Sequence, residues 1–255
     1  MSNIAEFAAR LDEAARTATA IAQIDPESVM SLAHAYEIQA ANIARRVERG
    51  EQRIGVKMGF TSRAKMLQMG IDDVIWGRLT SGMRVEEGTV LKLSNYVHPR
   101  VEPEIAFLLK APLAGSVSAS EALAAVACVA PALEIIDSRY KDFKFSLPDV
   151  IADNASSSGF VIGNWHAPDT DLSNLGMVMS FDGKTQHVGS SAAILGNPVR
   201  ALVAAARLAA QAGEPLKAGD IVMAGAATAA EWLLPGTYVR LDVQNLGSIG
   251  FHVQE

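Results

Sequence analysis

A single cysteine, Cys128, in 255 residues leaves no disulfide to staple a fold and nothing that argues for secretion. No run of lysine and arginine stands out and the net charge is −6, so the basic patch that a nucleic-acid surface needs is missing. Long apolar runs are missing too. The longest uncharged one, residues 122–133, contains Pro131 and is too short to span a bilayer. The first residues carry acids without a long apolar core, unlike a signal peptide. There is no G-x-G-x-x-G, Walker-type loop, G-x-S-x-G elbow or H-E-x-x-H, which disfavours nucleotide cofactors and serine nucleophiles. These absences leave a cytoplasmic protein with no membrane and no nucleic-acid partner, in which one local cation could still receive a small anion.

What is present is an ordinary globular balance, 49% hydrophobic and 20% charged, enough for the core of one large domain. The first fifty residues read as helix, because Ile4, Phe7, Ala8 and Leu11 recur at helical spacing, as do Ala33, Tyr36, Ala40 and Ile43. Either Asp25-Pro26 or Ser31 starts the second helix, and Gly50 ends it. From residue 51 short β-favouring runs alternate with Gly, Pro and Asn, and Asp182-Gly183 marks a two-residue hairpin. Leu241, Val243 and Phe251 alternate with polar residues as in strands that expose one face. Asn197-Pro198 opens and Gly213 closes an alanine-rich helix. Ser118 to Glu121 forms a capping box for a helix leading to Cys128, itself read as a small buried hydrophobe. Ser146-Leu147-Pro148-Asp149 opens a shorter helix. The expected fold is α+β: a helical N-terminal segment over residues 1–50, then a mixed, mostly antiparallel, β-rich metal-binding catalytic domain over 51–255.

Candidate chemistry starts at VEPEIAFLL, residues 101–109. On a strand Glu102 and Glu104 share a face, and Pro103 argues against helix. Adjacent carboxylates repel unless something positive sits between them, although a solvated strand end explains the spacing as well. Glu134 adds weight, since it lies among Leu133, Ile135 and Ile136, where a lone charge is costly to bury. Three oxygen-only donors suit Mg²⁺ or Mn²⁺ better than zinc. The five histidines show no ligand spacing. Lys57, among apolar residues and two glycines, is either a snorkelling lysine or a buried electrostatic clamp. ADNASSSGF, residues 152–160, is dense in polar side chains, for which turn chemistry is the ordinary explanation.

At GVKMGFTS, VEPEIAF, ALEIIDSRYKDFKFSLPDVIADNASSSGF and SSAAILGNP the chain resembles the hydratase/decarboxylase branch of the fumarylacetoacetate hydrolase superfamily, in matching order from about Ser31 onward. The resemblance implies a fumarylacetoacetate-hydrolase-like fold and a divalent metal, Mg²⁺ or Mn²⁺, held by Glu102, Glu104 and Glu134. It makes Lys57 the active-site lysine and Ser156 the substrate-side serine, with Asn154, Ile75 and Phe60 beside the substrate. Two activities share this pattern, hydration of 2-oxopent-4-enoate and decarboxylation of 2-oxohex-3-enedioate, successive steps of meta-cleavage degradation of aromatics. IDSRYKDFKF and GAATAA, residues 225–230, are of the decarboxylase type. The hydratases carry an acid where this chain has Ile75. That difference is chemically sensible: hydration needs a carboxylate to activate water, whereas decarboxylation gains from an apolar site. The resemblance further implies a small dicarboxylic 2-oxo acid as substrate, a homo-oligomer, and a complex with the partner hydratase. A catalytically silent docking subunit is the other reading, against which Lys57 and the complete acid trio both argue. Asn197 departs from the LGHP pattern of relatives, which puts any imidazole role there in doubt.

Overall fold

The computed structural model describes residues 3–255. Helix α1 (Ile4–Arg16) buries Ala8 and Leu11 on one face, and α2 (Leu32–Glu48) buries Ala35, Ile38 and Ile43. The start of α2 is set by Ser31, whose extended backbone lets its side chain accept from the His34 N–H. Asp25 instead closes the preceding turn, accepting from the Val29 and Met30 N–H groups at 3.1 and 2.9 Å. Both helices share a core with Ile75, Tyr140, Val150 and Ile151. Burying Leu11 and Ile38 contributes about 1.5–3 kcal/mol each. Buried Gln39 ties α2 to two elements behind the site, donating to the carbonyls of Trp76 and Ile151 at 3.1 and 2.7 Å.

The β body comprises β1 (Arg53–Gly59), β2 (Ile75–Thr80), β3 (Val90–Lys92), β4 (Arg100–Leu109), β5 (Val126–Ile136), β6 (Ser157–Ile162), β7 (Gly176–Phe181), β8 (Lys184–Ser190), β9 (Ile221–Met223), β10 (Glu231–Trp232), β11 (Tyr238–Val243) and β12 (Gly247–Gln254). One sheet runs β2-β1-β9-β4-β5-β6 with β10 on β4, and the other runs β3-β12-β11-β7-β8. All pairings are antiparallel except β1 with β9 and β3 with β12. The sheets meet where β5 packs on β11 and β12. Strand parity decides what goes where. Odd residues of β4 and β5 (Val101, Ile105, Phe107, Val129, Leu133, Ile135) join Leu241, Ile249 and Phe251 in the core between the sheets. Even residues, Glu102, Glu104 and Glu134 among them, take the opposite face.

Helix α3 (Arg63–Met69) follows β1, and α4 (Ala119–Ala124), α5 (Leu147–Ala152) and α6 (Pro198–Gln211) lie in later connections. Asn197 caps α6 by accepting from the Val199 N–H at 2.9 Å, so the departure from LGHP leaves the helix intact. Asp182 and Gly183 both adopt left-handed φ, the two-residue turn that suits the twist of β7 and β8. The capping box of α4 forms, but the helix stops at Ala124 and Cys128 lies in β5, only partly buried. The run after Ala125 is β-branched, contains Pro131 and is apolar on both faces, as a strand covered on both sides requires.

Candidate metal centre and its cleft

The β4–β5 register sets Glu102 directly opposite Glu134, with Glu104 two residues further along the same face. One carboxylate oxygen from each of the three lies within 4.8 Å of the others. Like charges placed opposite one another weaken a sheet, and Glu104 and Glu134 are fully buried, so such a cluster needs a counter-charge. Part of it is Lys57, whose Nζ sits 2.9 Å from Glu134 Oε2 and donates to the Ala155 carbonyl at 3.0 Å. Glu104 Oε2 accepts from the Gly225 N–H at 2.8 Å. Glu104 Oε1 and Glu134 Oε1 are buried without a partner among the described residues. With all three carboxylates ionised, one ammonium leaves an excess of two negative charges around those orphaned oxygens. The donor set therefore fits a hard divalent cation.

Lys57 does not snorkel: it is 3% exposed. Burial favours its neutral form, but the charges of Glu134, Glu102 and Glu104 outweigh burial and hold its pKa above the ordinary lysine value. Burial is also the main influence on Glu102 and Glu104. It pushes Glu102 up to about 7 against the pull of Lys57, and with the Glu134 charge it raises Glu104 well above the usual carboxylate range.

Beside Lys57 the chain makes a strained turn. Asn154, Ala155 and Ser156 all have left-handed φ, at 53°, 51° and 57°, which costs of order 1–3 kcal/mol per residue. Two devices hold it. The Asn154 amide grips the backbone of β2, accepting from the Arg78 N–H at 2.8 Å and donating to the Arg78 carbonyl at 2.9 Å. Gly77, the cross-strand partner of Lys57, lets the turn approach, because a Cβ there would lie 2.5 Å from the Asn154 carbonyl oxygen. The turn leaves Ser156 Oγ buried, and without a partner among the described residues, at the wall of a cleft of about 610 Å³.

That cleft brings together Lys57, Glu102, Phe60, Ile75 and Ser156, and the buried Glu104 and Glu134 adjoin it through the cluster. Ile75 lies over Gly59 and presents an aliphatic wall. Asn154, expected beside the substrate, is turned away: both polar atoms of its side chain are used on Arg78. The roles of three residues escaped sequence reasoning: Gly77, Gly225, and Arg100, which lines the cleft. The signal for Arg100 was available, since it extends the alternation of Glu102 and Glu104 by one step.

The fumarylacetoacetate (FAA) hydrolase C-terminal family model matches residues 33–254. The chain belongs to that family. Within it, a 4-oxalocrotonate decarboxylase of a Pseudomonas species is 65% identical over 248 residues, 97% of each chain. The solved 4-oxalocrotonate decarboxylase of Pseudomonas putida G7, complexed with magnesium and adipate, aligns with a TM-score of 0.95 at 36% identity, covering 98% of this chain and 97% of that one. A 2-keto-4-pentenoate hydratase of Paraburkholderia xenovorans (strain LB400) is 36% identical over 86% of this chain and 83% of its own length. The alignment with that solved decarboxylase extends over both the N-terminal helices and the mixed sheets. No helix among the described residues is long and apolar enough to cross a membrane.

Proposed function

We propose that this chain is a divalent-metal-dependent carboxy-lyase that releases CO₂ from 2-oxohex-3-enedioate and leaves 2-hydroxypenta-2,4-dienoate. The observation that carries the reading is the trio of converging carboxylates facing an aliphatic wall at Ile75, where a hydratase would carry an acid. The 65% identity to a named decarboxylase supports it. Glu102, Glu104 and Glu134 would hold Mg²⁺ or Mn²⁺, and the magnesium bound by the Pseudomonas putida G7 relative is consistent with that. Such a cation supplies Lewis acidity toward the C1 carboxylate and C2 keto oxygens of a 2-oxo acid.

The chain's own residues do the rest. Lys57 stays protonated beside Glu134 and places positive charge at the end of the cleft where the keto oxygen gathers electrons. Ser156 offers a hydroxyl with no internal partner to orient the substrate. Phe60 and Ile75 keep water and carboxylates away from the breaking C5–C6 bond, so no side chain there activates water. A cytoplasmic homo-oligomer that associates with the hydratase acting next completes the proposal.

The test follows the products from 2-oxohex-3-enedioate, with and without Mg²⁺. Metal-dependent CO₂ release is expected. No CO₂, together with metal-dependent hydration of 2-hydroxypenta-2,4-dienoate, would make the chain a hydratase instead.

A further inference from the structure

Strand β4 carries Arg100, Glu102 and Glu104 on one face, so a guanidinium lies in line with the carboxylate trio on the cleft side of the sheet. The guanidinium sits in the corner formed by two aromatic rings. Its carbon lies 4.2 Å from the centroid of Phe143 and 3.8 Å from that of Trp232. Those rings stand edge to face, 6.0 Å apart, and Phe143 adopts a left-handed φ of 56° to reach its place. Stacking leaves the donor edge of the fork free. Nε is buried with no hydrogen-bond partner among the described residues. Glu231, the other nearby acid, is occupied by His187 Nε2 at 3.0 Å.

A planar fork whose orientation is fixed in advance and whose donors are unspent suits bidentate binding of a carboxylate. Its distance from the trio suits a particular ligand length. Residues i and i+2 of a strand lie roughly 6–7 Å apart, and the terminal carbons of an extended six-carbon diacid are about 6 Å apart. We propose that Arg100, held against Phe143 and Trp232, is the residue that selects a dicarboxylic substrate, taking the carboxylate distal to the 2-oxo group while the glutamate end of the cleft takes the 2-oxo acid. This rests on the reading above of that end of the cleft.

The chemistry of the leaving group makes the role distinctive. The distal carboxylate carries charge in the bound substrate and none as CO₂, so its ion pair with Arg100 fades as the bond breaks. The contact therefore stabilises bound substrate more than the transition state, and its loss raises KM while kcat holds or rises. Set at the mouth, it also aims the C5–C6 bond along the cleft before reaction.

The experiment compares binding of 2-oxoadipate and 2-oxohexanoate, the same chain length with and without the distal carboxylate, to the Mg²⁺-loaded protein by calorimetry. Wild type is expected to favour 2-oxoadipate by about tenfold or more. Arg100→Met should reduce that preference to within about twofold while leaving 2-oxohexanoate and Mg²⁺ affinities unchanged, and Arg100→Lys should recover part of it. With 2-oxohex-3-enedioate, Arg100→Met should raise KM by about tenfold while kcat holds or rises. Mg²⁺ affinity reports that the variant is folded. Retained preference in Arg100→Met, equal loss of both ligands, or a preference abolished instead by Lys65→Met, which removes another cation lining the cleft, would overturn the proposal. If wild type binds both ligands equally, Arg100 selectivity fails alone. If it binds neither in the presence of Mg²⁺, the 2-oxo-acid reading fails with it.

Discussion

Along β11 the side chains of Val239, Leu241 and Val243 enter the core while Arg240 and Asp242 point outward and pair with each other in solvent. Along β4 the same two-residue period sends Val101, Ile105 and Phe107 into the core, but drives Glu102 and Glu104 toward the facing Glu134. The first strand follows the local rules: charge outside, apolar inside, a glycine-containing turn where its hairpin with β12 closes. The second breaks several within a few residues, with buried like charges, a buried lysine and three successive left-handed residues that are not glycine. The violations converge on one cleft, and such convergence marks a site that selection maintains against stability.

Four perturbations break or sharpen this contrast. The largest effect belongs to Lys57→Met, which should lower turnover by about 100-fold or more while Mg²⁺ affinity holds or rises, because a cation competing for Glu134 has been removed. Steady-state rates with a parallel metal titration check both halves, and a joint loss of metal and activity would assign Lys57 to the metal-binding scaffold.

Gly77→Ala comes next. Its methyl group would press on the Asn154 carbonyl, so stability should fall by about 1–3 kcal/mol, read as the midpoint of urea unfolding. Activity should fall further than stability alone explains, because the displaced turn carries Ser156.

A smaller effect concerns pH. Glu102 and Glu104 titrate higher in the fold than the ordinary glutamate value of 4.5, so while protonated they favour the folded state. Their contribution is full below that value; that of Glu102 is lost as pH rises through about 7, and that of Glu104 as pH rises through its own raised pKa. Metal-free protein should accordingly melt at a lower temperature at about pH 8 than at about pH 5.5. Added Mg²⁺ should reverse that order, because the cation binds the deprotonated carboxylates. A metal-free melting temperature that climbs across this range would show that the trio is not strained by its own charge. The smallest effect is that of Arg240→Ala in the rule-following sheet, expected within about 0.5 kcal/mol of wild type and without consequence for turnover.

The same contrast explains what could be read in advance. Strand parity alone put Glu102 and Glu104 together, and the cost of charge among Leu133, Ile135 and Ile136 singled out Glu134. That Glu134 faces Glu102 is a matter of register, which the residues between β4 and β5 determine and which no local pattern displays. Lys57 was ambiguous for a related reason: whether a lysine in an apolar strand snorkels depends on which neighbours close over it. The helix expected to reach Cys128 stopped early because an apolar run is the same text in a buried strand and a buried helix. Asn154 looked like a substrate ligand because side-chain donors near a site resemble one another until their partners are known. The resemblance to the family supplied the roles that spacing could not, and the stack around Arg100, assembled from three distant segments, lay beyond both.

The central claim, that the buried carboxylates exist to hold a divalent cation, is tested most directly by calorimetric titration of Mg²⁺ into metal-free wild type and into Glu134→Gln. The account predicts one site per chain in wild type, proton release on binding near pH 7, and no site in the variant. Equal Mg²⁺ affinity in both proteins, or no binding to either, would contradict it.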